Sequence, residues 1–320
     1  MIELPKKAKK PTMYFIGVTT NQSSIMDLFP HWMKALDIEA ELVGIDIDIH
    51  ADPEIYRQVV DFIKKDELSY GALVTTHKID LFNACKDQFD YLDNHASMQE
   101  ELSCISKNNG KLEGSAKDPI TSGLAMEAFI PDKFWEKHNG EVLIMGAGGS
   151  ARAISSYLFD EYNDKNMPSK LIINNRSQPR LDKFKRIFNK INSDVEVQYN
   201  LTPKPEQNDK VMAHLKPYSL IVNATGLGKD RPGSPLTDKC IFPENSLVWE
   251  LNYRGERRFM HQALENKREK NLYIEDGWIY FIHGWAQVIA EVFHFDIDDN
   301  IFIKLEKIAN DIKQPETSKI

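Results

Sequence analysis

The sequence predicts an α/β protein built in two domains, and three observations carry that expectation. An apolar run, residues 142–145, breaks into Gly146, Gly148 and Gly149 and is followed by a helix-forming stretch, residues 150–159. Short apolar strands alternate with helical periodicity over the first 125 residues. A second series of the same kind begins at Glu141 and runs to about Ala263. Such alternation is what a parallel sheet with helical crossovers requires.

Taken in order, residues 14–18 form an apolar strand that meets Gly17 and then a Thr/Asn/Ser cluster. Residues 23–36 repeat Met26, Phe29, Trp32, Met33 and Leu36 at helical spacing. Residues 40–49 read as a strand with Ile45, Ile47 and Ile49 on one face and Asp46 and Asp48 on the other. A helix over 53–65 starts after Asp52, a third strand covers 70–76, and residues 78–85 make the helix after it. Residues 280–293 form an apolar helix and 300–313 an amphipathic one. Asp296, Asp298, Asp299 and Asn300 resemble a calcium loop in composition but lack its glycine and distal glutamate, so they are expected to cap that last helix.

Residues 142–145 have no polar face, as a strand buried on both sides requires. The glycines after it can take positive φ and let backbone N–H groups approach a pyrophosphate at the start of the next helix. Gly146, Ala147, Gly148, Gly149, Ser150 and Ala151 are therefore the candidate phosphate-binding residues, with Ala151 in the third place of the G-x-G-x-x-G/A pattern. A glycine-rich turn with no ligand is the plainer alternative. The next strand, residues 170–174, ends in Asn175, Arg176, Ser177, Gln178, Pro179 and Arg180. An NAD site places Asp or Glu here for the ribose 2′-OH, whereas a 2′-phosphate needs cations. No acid is present and two arginines are, so Asn175, Arg176, Ser177 and Arg180 favour NADP over NAD. Two solvated arginines at a helix start are the alternative. A third loop, Asn223, Ala224, Thr225 and Gly226, follows the apolar residues 220–222 and suits the nicotinamide end of a cofactor.

Composition narrows the function classes. Of 320 residues 42% are hydrophobic and 28% charged, ordinary values for a globular chain long enough for two cores. A net charge of -8 argues against a nucleic-acid partner. Lys6, Lys7, Lys9 and Lys10 precede no apolar signal-like segment and are expected to form a solvated tail. No stretch is long and apolar enough to span a membrane. Cys85, Cys104 and Cys240 are scattered and odd in number, which points to a reducing, cytoplasmic location. The nine histidines form no metal motif, and no metal is expected.

Two more polar clusters fall at strand ends, Val74-Thr75-Thr76-His77-Lys78 and Gly114-Ser115-Ala116-Lys117-Asp118-Pro119. Through these clusters and the three loops above, the chain resembles the shikimate/quinate dehydrogenase family over nearly its whole length. The GAGGSA loop is similar to the family's GAGGAA-type loop, Asn175-Arg176-Ser177 with Arg180 to its N-R-[ST]-x-x-R clamp, and Asn223-Ala224-Thr225 to its N-A-T loop. The order of these three segments is more specific than any one of them. The resemblance implies a substrate domain of residues 1–125 plus 279–320 and a Rossmann-type NADP-binding domain of residues 126–278. The C-terminal helices would return to the first domain. It also implies Lys78 and Asp118 as the catalytic lysine and its aspartate, and Tyr253 as a substrate contact. Lys117 is an alternative ion-pair partner for Asp118.

Departures from the family bear on substrate. Where the family carries H-S-x-S-P, this chain has Gln22-Ser23-Ser24-Ile25-Met26, so Ile25 replaces the second serine. Its V-T-x-P-x-K is shortened to Val74-Thr75-Thr76-His77-Lys78, and its V-N-T becomes Leu102-Ser103-Cys104. The usual C-terminal glutamine aligns with Gly284, with Gln287 one turn later. Each unsatisfied buried polar group costs about 1–3 kcal/mol, so several such losses together disfavour shikimate itself. The expectation is an NADP-dependent oxidoreductase moving hydride to or from a hydroxyl/keto group of a small cyclic polyhydroxy or carboxylated molecule. Ser23, Thr75, His77, Tyr253, His283 and Gln287 are its candidate substrate contacts. His77 has a capping or packing role as an equal alternative. The runners-up are a true shikimate or quinate dehydrogenase with an altered carboxylate site, and a non-catalytic NADP-binding sensor or regulatory protein. The expected assembly is a monomer or homodimer.

Overall fold

Two six-stranded sheets organise the chain. The computed structural model describes residues 4–159, 166–189, 195–229 and 231–313. It divides into two units, Met1–Lys117 with Gly284–Ile320, and Asp118–His283.

The first unit runs β1 (Thr12–Gly17), α1 (Ile25–Leu36), β2 (Glu41–Asp46), α2 (Pro53–Lys65), β3 (Ser69–Val74), α3 (Lys78–Cys85), β4 (Tyr91–Leu92), α4 (Asn94–Gln99), β5 (Cys104–Asn108) and β6 (Lys111–Ser115). The sheet order is β2-β1-β3-β5-β6-β4. The β1–β2 and β1–β3 pairs are parallel, and the β3–β5 and β5–β6 pairs antiparallel. Every residue of β1 is buried, because Tyr14 and Ile16 pack with Tyr56, Val60 and Leu81 on one face while Phe15 meets Trp285 edge-on at 4.8 Å on the other. Two sequence expectations are corrected. The second strand stops at Asp46, whose carboxylate accepts the Thr20 N–H at 2.8 Å, and Ile49 is left 56% exposed. The basic N-terminal segment is also held, since the Ala8 N–H donates to Asp66 at 2.7 Å and Lys10 pairs with Glu41 at 3.2 Å.

The second unit runs α5 (Asp118–Glu127), α6 (Phe134–His138), β7 (Val142–Met145), α7 (Gly149–Leu158), β8 (Lys170–Asn175), α8 (Gln178–Phe188), β9 (Glu196–Leu201), α9 (Pro205–Met212), β10 (Leu220–Asn223), β11 (Leu247–Glu250), α10 (Arg258–Lys270), β12 (Tyr273–Glu275) and the start of α11 (Trp278–Phe293). Its sheet is wholly parallel, ordered β12-β11-β10-β7-β8-β9. Val142 and Ile144 face one core, with Ile154, Phe184 and Trp249, and Leu143 and Met145 face the other, with Phe242 and Phe259. Helices on both faces explain the missing polar face of β7. Residues 118–127 group with this unit because α5 packs on α7 so closely that a Cβ on Gly123 would meet the Tyr157 ring at 2.1 Å.

The last helix, α12 (Asp299–Ile312), belongs to the first unit, where the Trp32 indole N–H donates to the Leu305 carbonyl at 2.9 Å. Asp298 caps it, accepting the Ile301 N–H at 2.8 Å, as its sequence foretold. Among the described residues no helix is long and apolar enough to cross a membrane.

Candidate active site

In an open parallel sheet, ligands bind beyond the strand C-termini where the strand order reverses. In the second unit that point lies between β7 and β10. Gly146 leaves β7 at φ +120°, and its N–H donates to the Asn174 carbonyl at 2.8 Å. A Cβ there would lie 2.4 Å from the Ala224 carbonyl oxygen, so only glycine lets the first βα turn lie against the loop after β10. Gly148 has open space where a Cβ would stand and caps α7, whose first N–H groups lack intrahelical partners. Ala151 is fully buried against the sheet, as the third position of the pattern requires. Gly146→Ala is expected to destabilise the protein by about 1–3 kcal/mol through a backbone conformation that alanine avoids. A urea transition with unchanged midpoint would refute the close approach.

The end of β8 holds the arginine pair. Asn175 turns the chain by donating from its amide to the Ser177 carbonyl at 3.2 Å, and α8 then begins at Gln178 with Pro179 in its first turn. Arg176 and Arg180 are exposed and make no hydrogen bond or ion pair among the described residues. Beneath them, the buried Asn174 amide donates to Asn208 at 2.9 Å and accepts from Asn200 at 2.8 Å. This ladder fixes the strand end while both guanidinium groups remain available for an anion.

The loop after β10 is knitted from within. Asn223 is fully buried, and its Oδ1 accepts from the Thr225 N–H and hydroxyl at 3.2 and 2.7 Å. The Thr225 hydroxyl oxygen accepts the Leu227 N–H at 3.1 Å, while Ala224 and Gly226 occupy the turn. Asn223 therefore shapes this loop, and the groups left for a ligand are backbone ones and the half-buried Ala224. On the next strand end Tyr253 lies 4.6 Å from Phe281 and 5.5 Å from Trp278, ring centre to ring centre. Those two rings stack at 5.1 Å and hold the tyrosine in place. His283, also in this unit, is 6% exposed, and burial pushes its pKa down to about 4, so the imidazole is neutral near pH 7.

The candidate residues of the first unit gather at the C-terminal ends of β1 and β3. Ser23 closes a short 3-10 turn after β1 and is half-buried, as are Thr75 and Lys78. Between the last two, the His77 N–H donates to the Thr75 carbonyl at 2.6 Å across Thr76, whose φ is +63°. This is a three-residue turn in a conformation that β-branched residues avoid. It sets Lys78 at the first position of α3.

His77 is an interior residue rather than a substrate contact. Its ring is fully buried, Nε2 lies 3.2 Å from the Gly17 carbonyl and Nδ1 lies 3.1 Å from the Tyr56 hydroxyl. A carbonyl only accepts, so Nε2 carries the proton, Nδ1 accepts from tyrosine, and neither nitrogen is left for a ligand. Burial holds its pKa below the usual value, consistent with that neutral ring. Lys117 pairs with Glu291 at 2.6 Å in the first unit, while Asp118 opens α5 of the second. Trp285 is core, against Phe15, and Gln287 is half-buried on α11.

Glu250 is a further buried polar residue here, outside the sequence-based candidates. It is fully buried at the end of β11, and burial, opposed by hydrogen bonds from Asn223 and Asn252 and by Arg257, pushes its pKa up to about 7. The available signal was a carboxylate inside the apolar run Val248-Trp249-Glu250-Leu251.

The strand order, the glycine turn at the sheet's reversal point and the uncommitted arginines define an α/β protein with a Rossmann-type second unit. No family model matches the chain. It is similar to the shikimate dehydrogenase (NADP(+)) of Nitrosopumilus maritimus, 25% identical over 238 residues that cover 73% of this chain and 77% of the relative. The corresponding enzyme of Methylocella silvestris is 25% identical over 287 residues, 89% of this chain and 91% of the relative. Among solved structures, shikimate dehydrogenase from Aquifex aeolicus has the same fold, with a TM-score of 0.71 at 18% identity, covering 95% of this chain and all of its own. Similarity to curated shikimate dehydrogenases over most of the chain and a shared fold support a divergent relation to that family.

Proposed function

We propose that this protein is an NADP-dependent dehydrogenase that interconverts a hydroxyl and a keto group on a small cyclic polyhydroxy or carboxylated molecule. The observation that carries the reading is the pair Arg176 and Arg180, exposed and uncommitted at the end of β8, with no acid beside them. The residues fit the cofactor: open space at Gly148 and the first turn of α7 suit a pyrophosphate, the arginines a 2′-phosphate, and the loop 223–226 the nicotinamide end. When bound, the nicotinamide supplies or accepts the hydride. The chain's own part is the proton: Lys78 would donate it to the oxygen left by hydride addition or take it in the reverse direction. Asp118 would orient the ammonium through a charge-assisted hydrogen bond.

Ser23, Thr75, Tyr253, His283 and Gln287 are proposed as substrate contacts. Several features favour a substrate other than shikimate. Ile25, in the place of the family's second serine, is fully buried at the start of α1. Cys104, in the V-N-T stretch, is fully buried, and burial pushes its thiol up to about 12, so it offers only a weak donor. Gly284 lies inside α11, where a Cβ would meet nothing within 4 Å. A mid-helix glycine costs about 1 kcal/mol relative to alanine, and no packing contact explains this one. Space without a polar side chain suits a ligand of altered shape.

The test is turnover by purified protein of a panel of cyclic hydroxy acids and polyols with NADP, and of their keto forms with NADPH. NADP-linked turnover of a non-shikimate member above that of shikimate is expected. Preference for shikimate would return the protein to the ordinary activity of its relatives, and tight NADPH binding with no turnover would make it a sensor.

A further inference from the structure

Glu250 lies outside the set of residues that would touch a ligand, yet it joins two segments that would. Its Oε2 accepts from the Asn223 amide at 2.9 Å. Its Oε1 accepts from the same amide at 3.1 Å, from the Asn252 N–H at 3.0 Å and from the Asn252 amide at 2.7 Å. Both amides also donate to the Leu227 carbonyl, Asn252 at 3.0 Å and Asn223 at 3.3 Å. With all four contacts donated to its two oxygens, the carboxyl group turns the Asn223 NH2 group toward itself and leaves Oδ1 for Thr225. Through Asn252 it also fixes the backbone one residue before Tyr253. The charge that faces it is Arg257, itself paired with Asp276 at 3.0 Å.

We propose that Glu250 is a positioning residue for the nicotinamide end of the cofactor. It acts through Asn223 and Asn252 to hold the loop 223–228 and the Tyr253 segment in one arrangement, and this rests on the cofactor reading above. A buried carboxylate is costly, and removing the charge from this strand end would relieve that cost. Its place at the centre of four donated hydrogen bonds points to what it organises. Glu250→Gln keeps the shape, but with its carbonyl oxygen in the Oε1 place its NH2 group meets the Asn223 amide, so that asparagine must flip or separate.

The experiment compares binding of NADPH with that of 2′,5′-ADP, a fragment carrying the adenosine and 2′-phosphate but no nicotinamide. Glu250→Gln should weaken NADPH about tenfold or more, leave 2′,5′-ADP within twofold, and lower kcat with the remaining turnover. Asn252→Ala, which removes one of the two linked amides, should show the same split and covers the case in which the glutamine variant does not fold. Wild-type NADPH affinity in both folded variants, or equal loss of both ligands, overturns the positioning role while leaving the cofactor reading intact. Failure of the wild-type protein to bind either probe removes the cofactor reading and this inference with it.

Discussion

Lys78→Ala is expected to lower kcat by about 10²–10⁴-fold, the range over which a positioned proton donor accelerates such a step, while NADPH binds as before. The lysine begins α3 directly after the strained turn at Thr76, so its backbone is fixed on both sides: by the turn, and by the Leu102 N–H donating to its carbonyl at 3.1 Å. Truncating the side chain leaves those backbone constraints in place, and folding should be little affected. The residues proposed to hold the cofactor all belong to the other unit, which is why affinity for NADPH should be retained. Asp118→Asn, at the proposed partner aspartate, should reduce kcat less than Lys78→Ala, because the lysine is the group proposed to carry the proton. Steady-state kinetics on the best panel substrate, with NADPH titrated by fluorescence, separates these quantities. Turnover of Lys78→Ala within threefold of wild type would remove the lysine from the mechanism.

What the sequence disclosed follows from how local each feature is. The strand β7, its glycines and the arginines after β8 are consecutive residues whose conformation is set by their own backbone preferences and by burial on both sides. The end of β2 was not legible, because it depends on Thr20, 26 residues away, donating to Asp46. The turn at Thr76, at φ +63°, carries neither glycine nor proline to announce it, and the next residue, His77, is held by contacts distant in sequence, to Gly17 and Tyr56. The β5–β6 hairpin is different: Asn109-Gly110, at φ +50° and +79°, is a strong two-residue turn signal that could have been read directly. His77 shows the limit on sites. Its position beside a proposed catalytic lysine suggested a ligand contact, and only the packing of Tyr56 and Gly17 around it reveals an interior residue.

Arg176→Ala should weaken NADPH roughly tenfold to hundredfold, as expected for lost hydrogen bonds to a charged group, while NADH affinity changes less than threefold. The NADH comparison isolates the 2′-phosphate, since both cofactors share every other group. Arg180→Ala should act in the same direction but more weakly, because Arg180 is in the first turn of α8 and Arg176 in the bend before it, nearer the strand end. Both arginines are exposed and unpaired among the described residues, so removing them breaks no internal contact and should leave stability unchanged. Exposure also means screening: with a Debye length of about 8 Å at physiological ionic strength, the wild-type preference for NADPH should shrink as salt rises. In the double variant the residual preference should be small and nearly independent of salt. If the two cofactors lose affinity equally, the arginines serve the helix or the pyrophosphate rather than the 2′-phosphate. Cofactor choice would then have to come from the backbone of the β8 turn.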